Sequence, residues 1–262
     1  MAVPPVCEEA VMTTPVLETQ ALVKQFGSVT AVDQLSLSVP ADQRHAIIGP
    51  NGSGKTTLFD LVTGAVRPDQ GRIQFHGQDI TTASEDARAR EGIVRSFQLT
   101  NLFGGLSVQE NLQLAVQATE QTFNPFRLPD TAIVERASEW YGALELDADP
   151  QAPVETISHG DRNRLEVGTA LATDADLLLL DEPTSGVPPE ESRALLRLIE
   201  QMTTGQTVLL IEHDMDVALS FADQVTVLDR GSVITQNTPE QIVNDTAVQN
   251  AYLRGYGDTT LD

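Results

Sequence analysis

The chain has 262 residues, of which 40% are apolar, which is sufficient for one large domain or for a core with an appended subdomain. Its 16 basic and 38 acidic residues give a formal net charge of −22. A surface this negative argues against nucleic-acid binding and against docking on anionic lipid, and the single cysteine, Cys7, excludes an intramolecular disulfide, as expected in a reducing compartment.

The first 16 residues predict a flexible extension, because they contain three prolines and no periodic apolar pattern. They have neither the basic start nor the apolar stretch of a signal peptide. The chain also lacks a run of the roughly 20 apolar residues that span a bilayer. We therefore expect the folded part to begin near Leu17, a cytoplasmic location, and contact with a membrane through partner proteins.

Short apolar runs bounded by turn residues predict strands. These runs are 45–49, 177–180, 207–211 and 225–228. Residues 177–180 are all leucine rather than alternating, which is typical of a parallel strand buried on both faces. Helical patterns lie between the runs, as at 190–202, where apolar residues recur on one helix face. This alternation predicts an α/β fold with a mostly parallel sheet.

Residues 99–156 interrupt the alternation, because they contain few strand-like runs and two loop signals, Asn124-Pro125 and Asp149-Pro150. Ser107 and Glu110 have the spacing of a capping box at the start of an amphipathic helix. We predict a helical subdomain over 99–156. Segments 17–98 and 157–262 then form the core.

A complete phosphate-loop motif, G-x-x-x-x-G-K-[ST], follows the first predicted strand of the core. It consists of Gly49, Pro50, Asn51, Gly52, Ser53, Gly54, Lys55 and Thr56. The glycines allow backbone N–H groups to converge on phosphates, Lys55 is expected to reach the β- and γ-phosphates, and Thr56 to bind Mg²⁺. The alternative is a glycine-rich turn without a ligand, but the strand before it and the helical pattern after it favour a nucleotide site.

Asp181 and Glu182 follow the leucine run and therefore lie at the carboxyl end of a buried strand, where open α/β sheets bind ligands. Asp181 is predicted to hold Mg²⁺, and Glu182 to activate the attacking water as a general base. Taken alone, such a pair more often marks only the end of a strand. Next to a phosphate loop, the catalytic interpretation is favoured.

Before the acidic strand stands Ser158-His159-Gly160-Asp161, and with this third motif the chain resembles the nucleotide-binding subunits of ABC transporters. The segment is similar to the Ser-x-Gly-Gln signature of that family, which caps the γ-phosphate of ATP held by the opposite subunit. From the residues alone, Ser158 is a helix N-cap and Asp161 its capping-box partner. Both interpretations stay open at this point.

The resemblance extends to three single residues. Gln98 matches the glutamine loop of the family, which contacts Mg²⁺ or the attacking water, and His213 matches the switch histidine that contacts the γ-phosphate. Phe26 matches the aromatic residue that stacks on adenine. Without the resemblance, His213 is more simply a structural residue and Phe26 a core or surface residue.

The resemblance implies a P-loop NTPase of the ABC-cassette type: an α/β, RecA-like, mostly parallel core with an antiparallel N-terminal β part and a helical subdomain. It also implies Mg²⁺-dependent hydrolysis of ATP to ADP and phosphate, with Glu182, His213 and Gln98 as catalytic residues. Residues 49–56 and Thr57 then bind the nucleotide of one cassette, and the signature motif of a second, head-to-tail cassette completes the site.

Within the family, Arg95-Ser96-Phe97-Gln98 and the tail Ala251-Tyr252-Leu253 are most similar to the ATPases of branched-chain amino acid importers, with urea importers close by. Such a resemblance implies two transmembrane permeases and a second, same or similar cassette as partners. An extracytoplasmic solute-binding protein takes part indirectly, and the chain lies on the inner face of the cell membrane. The alternative is a non-transport ATPase in chromosome maintenance or translation, which the acidic charge and the absence of a heptad insertion disfavour.

Two positions depart from the family pattern. Asp161 stands where the signature has glutamine, which is expected to weaken closure on ATP unless the carboxylate turns into the capping box. Pro188 replaces an Asp or Asn and offers neither an acidic side chain nor a backbone donor. Both departures leave open a cassette that binds ATP without hydrolysing it.

The basic residues are unusual, since two lysines stand beside fourteen arginines. Together with the charge of −22, this composition resembles proteins of organisms with molar salt inside the cell, where a Debye length of roughly 3 Å screens self-repulsion. We therefore expect a halophilic source. The alternative is an ordinary acidic protein that its charge keeps in solution.

Overall fold

The computed structural model describes residues 15–96, 102–118, 130–173 and 175–257. The strands are β1 (Pro15–Phe26), β2 (Val29–Pro40), β3 (Arg44–Ile48), β4 (Gln70–Phe75), β5 (Gln78–Asp79), β6 (Ile93–Ser96), β7 (Leu177–Asp181), β8 (Thr207–Ile211), β9 (Gln224–Asp229) and β10 (Ser232–Asn237). The helices are α1 (Lys55–Thr63), α2 (Glu85–Arg90), α3 (Val108–Ala118), α4 (Thr131–Ala143), α5 (His159–Leu171), α6 (Pro189–Met202), α7 (Met215–Phe221), α8 (Pro239–Val243) and α9 (Thr246–Gly257).

A six-stranded sheet with the order β10-β9-β3-β8-β7-β6 forms the centre of the fold. Its strands are parallel from β9 to β6, and β10 is an antiparallel edge strand. Every residue of β7 and β8 is buried, in agreement with their continuous apolar sequence. The carboxyl ends of β3, β7 and β8 therefore meet at one edge, where the phosphate loop, the pair Asp181–Glu182 and His213 are found.

A four-stranded antiparallel sheet, β2-β1-β4-β5, contains the N-terminal part. The prediction of a flexible segment to residue 16 is wrong for Pro15 and Val16, because they open β1 and Val16 is buried at 3% exposure. Residues 1–14 lie outside the described part. Helix α1 packs between the two sheets, where Leu58 and Phe59 join side chains of both in one apolar cluster.

Helices α3 and α4 and a 3₁₀ turn at Val154–Thr156 form a helical unit beside the sheet. The predicted capping box is present: the Ser107 N–H donates to Glu110 Oε2 at 2.7 Å, and the Glu110 N–H donates to Ser107 Oγ at 3.2 Å. Helix α5 packs against both parts, with Leu165 in the cluster of α3 and α4 and Leu171 in the cluster of β7 and β8. Helix α5 thus connects the helical unit to the central sheet through apolar packing.

Within the described ranges, the helices are too short or too polar to cross a membrane.

The observed arrangement confirms the predicted α/β fold with its mostly parallel core, antiparallel N-terminal sheet and helical part.

Candidate functional site

The phosphate loop connects β3 to α1, as its motif predicts. Two of its glycines are required by space. A Cβ atom at Gly49 would lie 2.2 Å from the Leu228 carbonyl oxygen, and one at Gly54 would lie 2.4 Å from the Ala31 carbonyl oxygen. Gly54 also has a φ of 100°, in the left-handed region that favours glycine. The loop backbone is therefore held tightly between β2 and β9.

Lys55 lies inside this loop with 7% of its surface exposed. Its ammonium group donates to the carbonyl oxygens of Gly49 at 2.7 Å and Pro50 at 3.2 Å. Burial lowers the pKa of Lys55, while the nearby charges of Glu182 and Asp181 oppose that shift. The Ser53 hydroxyl is buried in the same loop and has no hydrogen-bond partner within the described residues. A cation and an unsatisfied hydroxyl in one glycine-rich loop suit a phosphate ligand.

Asp181 is the last residue of β7 and is tied to α1 by a cation. Arg95 of β6 donates Nη2 to Asp181 Oδ2 at 2.5 Å and Nη1 to Asp60 Oδ1 of α1 at 2.6 Å. The sequence motif places Arg95 only in the glutamine-loop pattern and does not reveal this role. The contact follows from the parallel register of β6 and β7, in which Arg95 pairs with Leu179, two residues before Asp181.

Glu182 has a φ of 47°, in the left-handed region, which costs a non-glycine residue about 1 to 2 kcal/mol. Its N–H donates to the Ile211 carbonyl oxygen of β8 at 2.9 Å. One oxygen of its carboxylate lies 3.7 Å from His213 Nδ1, and the His213 side chain is 55% exposed. The structure therefore brings the two predicted catalytic residues together at the ends of neighbouring strands.

A further carboxylate, that of Glu212, lies beneath this pair and was missed in the sequence. Its side chain is fully buried, and its Oε1 accepts hydrogen bonds from the Thr184 N–H at 3.2 Å and the Thr184 hydroxyl at 2.7 Å. Its Oε2 lies 3.9 Å from His213 Nδ1. Burial raises the pKa of Glu212, although the hydrogen bonds from Thr184 oppose this.

The signature segment begins α5 as predicted. Ser158 is the N-cap, and its hydroxyl accepts from the Asp161 N–H at 3.0 Å while donating to Asp161 Oδ2 at 2.9 Å. The other Asp161 oxygen accepts from the Asp147 N–H at 3.1 Å. Asp161 is thus turned into the capping box of its own helix, whereas Ser158 and His159 are exposed. Gly160 lines an adjacent cavity of about 370 Å³.

Pro188, the second departure, occupies the N-cap position of α6, and Pro189 is the first residue of that helix. Proline is tolerated at a helix start because the first N–H groups have no partner within the helix. The Ser192 hydroxyl donates to the carbonyl oxygens of Val187 and Pro188 at 3.2 and 3.1 Å. The two prolines and Ser192 together fix where α6 begins.

Phe26 is the last residue of β1 and is 50% exposed, so its ring is available to a planar ligand. The ammonium of Lys24 lies 5.4 Å from the ring centroid and forms an ion pair with Asp69 at 3.1 Å. Gln98 falls in the undescribed segment 97–101, so its predicted role stays a prediction.

Mg²⁺ fits the side chains available here. The described residues contain no cluster of three or more His, Cys, Asp and Glu side chains able to hold a metal ion. Mg²⁺ in nucleotide sites instead uses one or two protein oxygens together with phosphate oxygens. The exposed Thr56 hydroxyl in the first turn of α1 and the carboxylate of Asp181 are donors of that kind.

The sequence matches the ABC transporter family over residues 32–185. BraF of Pseudomonas aeruginosa, a high-affinity branched-chain amino acid transport ATP-binding protein, is 35% identical over 252 residues, which span 92% of this chain and 99% of BraF. LivG of Escherichia coli K12 has the same description and is 34% identical over the same shares of both chains. A probable LivG of Archaeoglobus fulgidus is 36% identical and covers 94% of this chain and 98% of its own.

The chain is also similar to solved structures of ABC transporter cassettes. A nucleotide-free ATP-binding cassette from an ABC transporter is 31% identical and superposes with a TM-score of 0.78, covering 91% of this chain and 98% of its own. The ADP conformation of another ABC transporter cassette is 30% identical with a TM-score of 0.82, covering 92% of this chain and 99% of its own.

Proposed function

The chain belongs to the ABC transporter family and is an ATP-binding cassette that hydrolyses ATP, and on this basis we propose that it powers the import of branched-chain amino acids. The observation that carries the proposal is the end-to-end match to BraF and LivG, which spans 92% of this chain and 99% of each relative. A urea or other small-solute importer of the same branch is the second candidate, favoured only by the similarity of the motifs.

In the proposed site, adenine stacks on Phe26 and the phosphates lie in the loop 49–56, where Lys55 neutralises charge on the β- and γ-phosphates. The buried Lys55 ammonium and the unsatisfied Ser53 hydroxyl support this placement. When bound, Mg²⁺ would neutralise part of the phosphate charge. Thr56 and Asp181 would hold it.

We assign the general base to Glu182. Its carboxylate takes a proton from water as the water oxygen bonds to the γ-phosphorus and the bond to the β–γ bridging oxygen breaks. His213, 3.7 Å from that carboxylate, contacts the γ-phosphate side of the site, and the family motif assigns Gln98 the same role. The signature residues Ser158, His159 and Gly160 of a second cassette close over the ATP.

The capping-box geometry of Asp161 supports a competent signature. Both of its carboxylate oxygens are already hydrogen-bonded within the subunit, to Ser158 and to the Asp147 N–H. The chain therefore closes over ATP with Ser158 and His159 rather than with the acidic side chain.

The functional assembly comprises two cassettes under two transmembrane permeases, fed by an extracytoplasmic solute-binding protein. This cassette lies on the inner face of the membrane, held there by the permeases. The net charge of −22 and the two lysines suit a cell interior of molar salt, where short-range screening removes self-repulsion.

The proposal is tested by affinity purification of the full chain from native membranes in high salt, followed by mass spectrometry and by ATPase assay in proteoliposomes. Two multispanning permeases, a second cassette and stimulation by leucine, isoleucine or valine through the binding protein are expected. Stimulation by urea instead would replace the solute. Recovery of soluble or ribosomal partners alone would contradict a transport role.

A further inference from the structure

Glu212 follows β8 directly, and its carboxylate is fully buried. Burial of a carboxylate is energetically unfavourable. A charged or hydroxyl-bearing group taken from water is destabilising unless hydrogen bonds replace those lost. One carboxylate oxygen of Glu212 regains hydrogen bonds in the fold, because Oε1 accepts from both the N–H and the hydroxyl of Thr184. Its Oε2 is buried without a hydrogen-bond partner among the described residues. An apolar side chain at this position would avoid the desolvation cost of a buried carboxylate. A functional reason for Glu212 therefore lies in its contacts.

Two successive residues at the end of β8, Ile211 and Glu212, accept hydrogen bonds from the turn that contains Glu182. Ile211 accepts the Glu182 N–H at 2.9 Å, and Glu212 accepts two hydrogen bonds from Thr184. The turn closes on itself through the Ser185 N–H, which donates to the Glu182 carbonyl oxygen at 3.0 Å. A left-handed conformation at a non-glycine residue persists only when its surroundings hold it. The contacts with β8 supply that restraint for Glu182.

The same carboxylate also faces His213. Glu212 Oε2 lies 3.9 Å and Glu182 Oε2 3.7 Å from Nδ1 of the imidazole, so two carboxylates approach one ring nitrogen. Negative charge therefore lies beside Nδ1, and Nε2 is the ring nitrogen that remains for another group. The Glu212 N–H donates to the Ile47 carbonyl oxygen at 3.4 Å, so the segment is also anchored to β3 just before the phosphate loop.

We propose that Glu212 is a positioning residue: its Oε1 fixes the Glu182 turn through the hydrogen bonds from Thr184, and its Oε2 orients the His213 ring beside that turn. The inference rests on the proposed roles of Glu182 and His213 in ATP hydrolysis. Because its side chain is 0% exposed, we place Glu212 behind the reacting groups rather than in contact with nucleotide or water. Its effect therefore falls on turnover rather than on ATP binding.

The test compares near-isosteric variants of the full chain in molar salt. Glu212→Gln keeps an acceptor for Thr184 but presents an NH₂ group where Oε2 faced His213, and Thr184→Val removes the hydroxyl while keeping the backbone donor. Each is expected to lower kcat for ATP about 10- to 100-fold, as for a misplaced catalytic group, with KM for ATP within about twofold. Thr184→Ser, which retains the hydroxyl, is expected to recover most of the turnover.

Thr207→Val is the matched control. Thr207 is 2% exposed on the same strand, and its hydroxyl accepts from the Asp42 N–H at 3.1 Å, at the strand end away from the site. Thr207→Val loses one side-chain hydrogen bond, as Thr184→Val does, and its kcat is expected to stay at the wild-type value. Wild-type kcat in both Glu212→Gln and Thr184→Val would overturn the positioning role. An inactive wild-type protein that binds ATP would instead contradict the proposed catalytic site.

Discussion

Arg95 donates Nη2 to Asp181 at 2.5 Å, and the side chains of the two residues are 10% and 7% exposed. Because the other guanidinium nitrogen holds Asp60 at 2.6 Å, one cation joins β6, β7 and the phosphate-loop helix. The carboxylate assigned to Mg²⁺ is therefore fixed in position by a residue of the strand that leads to Gln98.

Replacement of Arg95 tests this bridge. We expect Arg95→Met to lower the free energy of unfolding by about 3 kcal/mol, because removal of one member leaves a buried carboxylate uncompensated. Chemical denaturation at constant salt gives the value. Arg90→Met, at an exposed position of α2, is the control and should stay within about 0.5 kcal/mol of wild type. Equal effects of the two substitutions would contradict the bridge.

Arg88 is expected to stabilise the phosphate-loop helix from its far end. Its fully buried guanidinium donates to the carbonyl oxygens of Leu61 at 2.6 Å, Val62 at 2.8 Å and Thr81 at 3.0 Å. Arg88→Met leaves these acceptors unsatisfied and should cost about 3 kcal/mol in the free energy of unfolding. Arg88→Lys should recover part of the loss, because one ammonium group cannot span the same three acceptors. A fully stable Arg88→Met protein would refute the capping role.

His45 predicts a dependence of stability on pH. Burial lowers the pKa of His45 to about 4, and the side chain contacts the Thr226 hydroxyl at 2.7 Å. The unfolded chain binds a proton at this histidine below about pH 6.5, whereas the folded chain stays neutral. The free energy of unfolding should therefore fall by about 3 kcal/mol as the pH decreases from about 6.5 to about 4.

The comparison that isolates this effect is His45→Gln against wild type, measured by denaturation across that pH range. Carboxylates whose pKa values are lowered in the fold, such as those of Asp69 and Asp223, contribute equally to both proteins and cancel in the difference. The gap between the two proteins should narrow as the pH falls. Parallel pH profiles would show that His45 does not titrate as predicted.

The charge of −22 predicts stabilisation by salt. Raising KCl from about 0.1 M to about 1 M shortens the Debye length from roughly 10 Å to roughly 3 Å and should raise the thermal midpoint by screening repulsion between carboxylates. Sucrose, which favours burial without screening charge, is the control for general stabilisation. A midpoint that is insensitive to KCl would argue for an ordinary acidic protein rather than a halophilic one.

The sequence predicted the placement of those site features that consist of neighbouring residues. The phosphate loop, the acidic strand end and the Ser158 cap are each contained in a few consecutive positions, and local geometry places them as predicted. Arg95 with Asp181 and Thr184 with Glu212 are instead 86 and 28 residues apart. Their contacts depend on strand order and register, which cannot be inferred from the local patterns of a single sequence.

The direction in which Asp161 points also depends on the fold. Its carboxylate is satisfied by the Asp147 N–H, which belongs to the segment after α4, and only packing of the helical unit brings that donor close. The motif alone therefore left two interpretations of this residue open.

The composite ATP site in which Glu182 activates water is tested by sedimentation of the Glu182→Gln chain in molar salt with and without Mg²⁺ and ATP. We predict an ATP-dependent dimer that does not turn over, and a monomer when Lys55→Ala is added to remove phosphate binding. Normal ATP turnover by Glu182→Gln would show that Glu182 is not the general base, and a monomer in saturating ATP would show that the site is not shared between two cassettes.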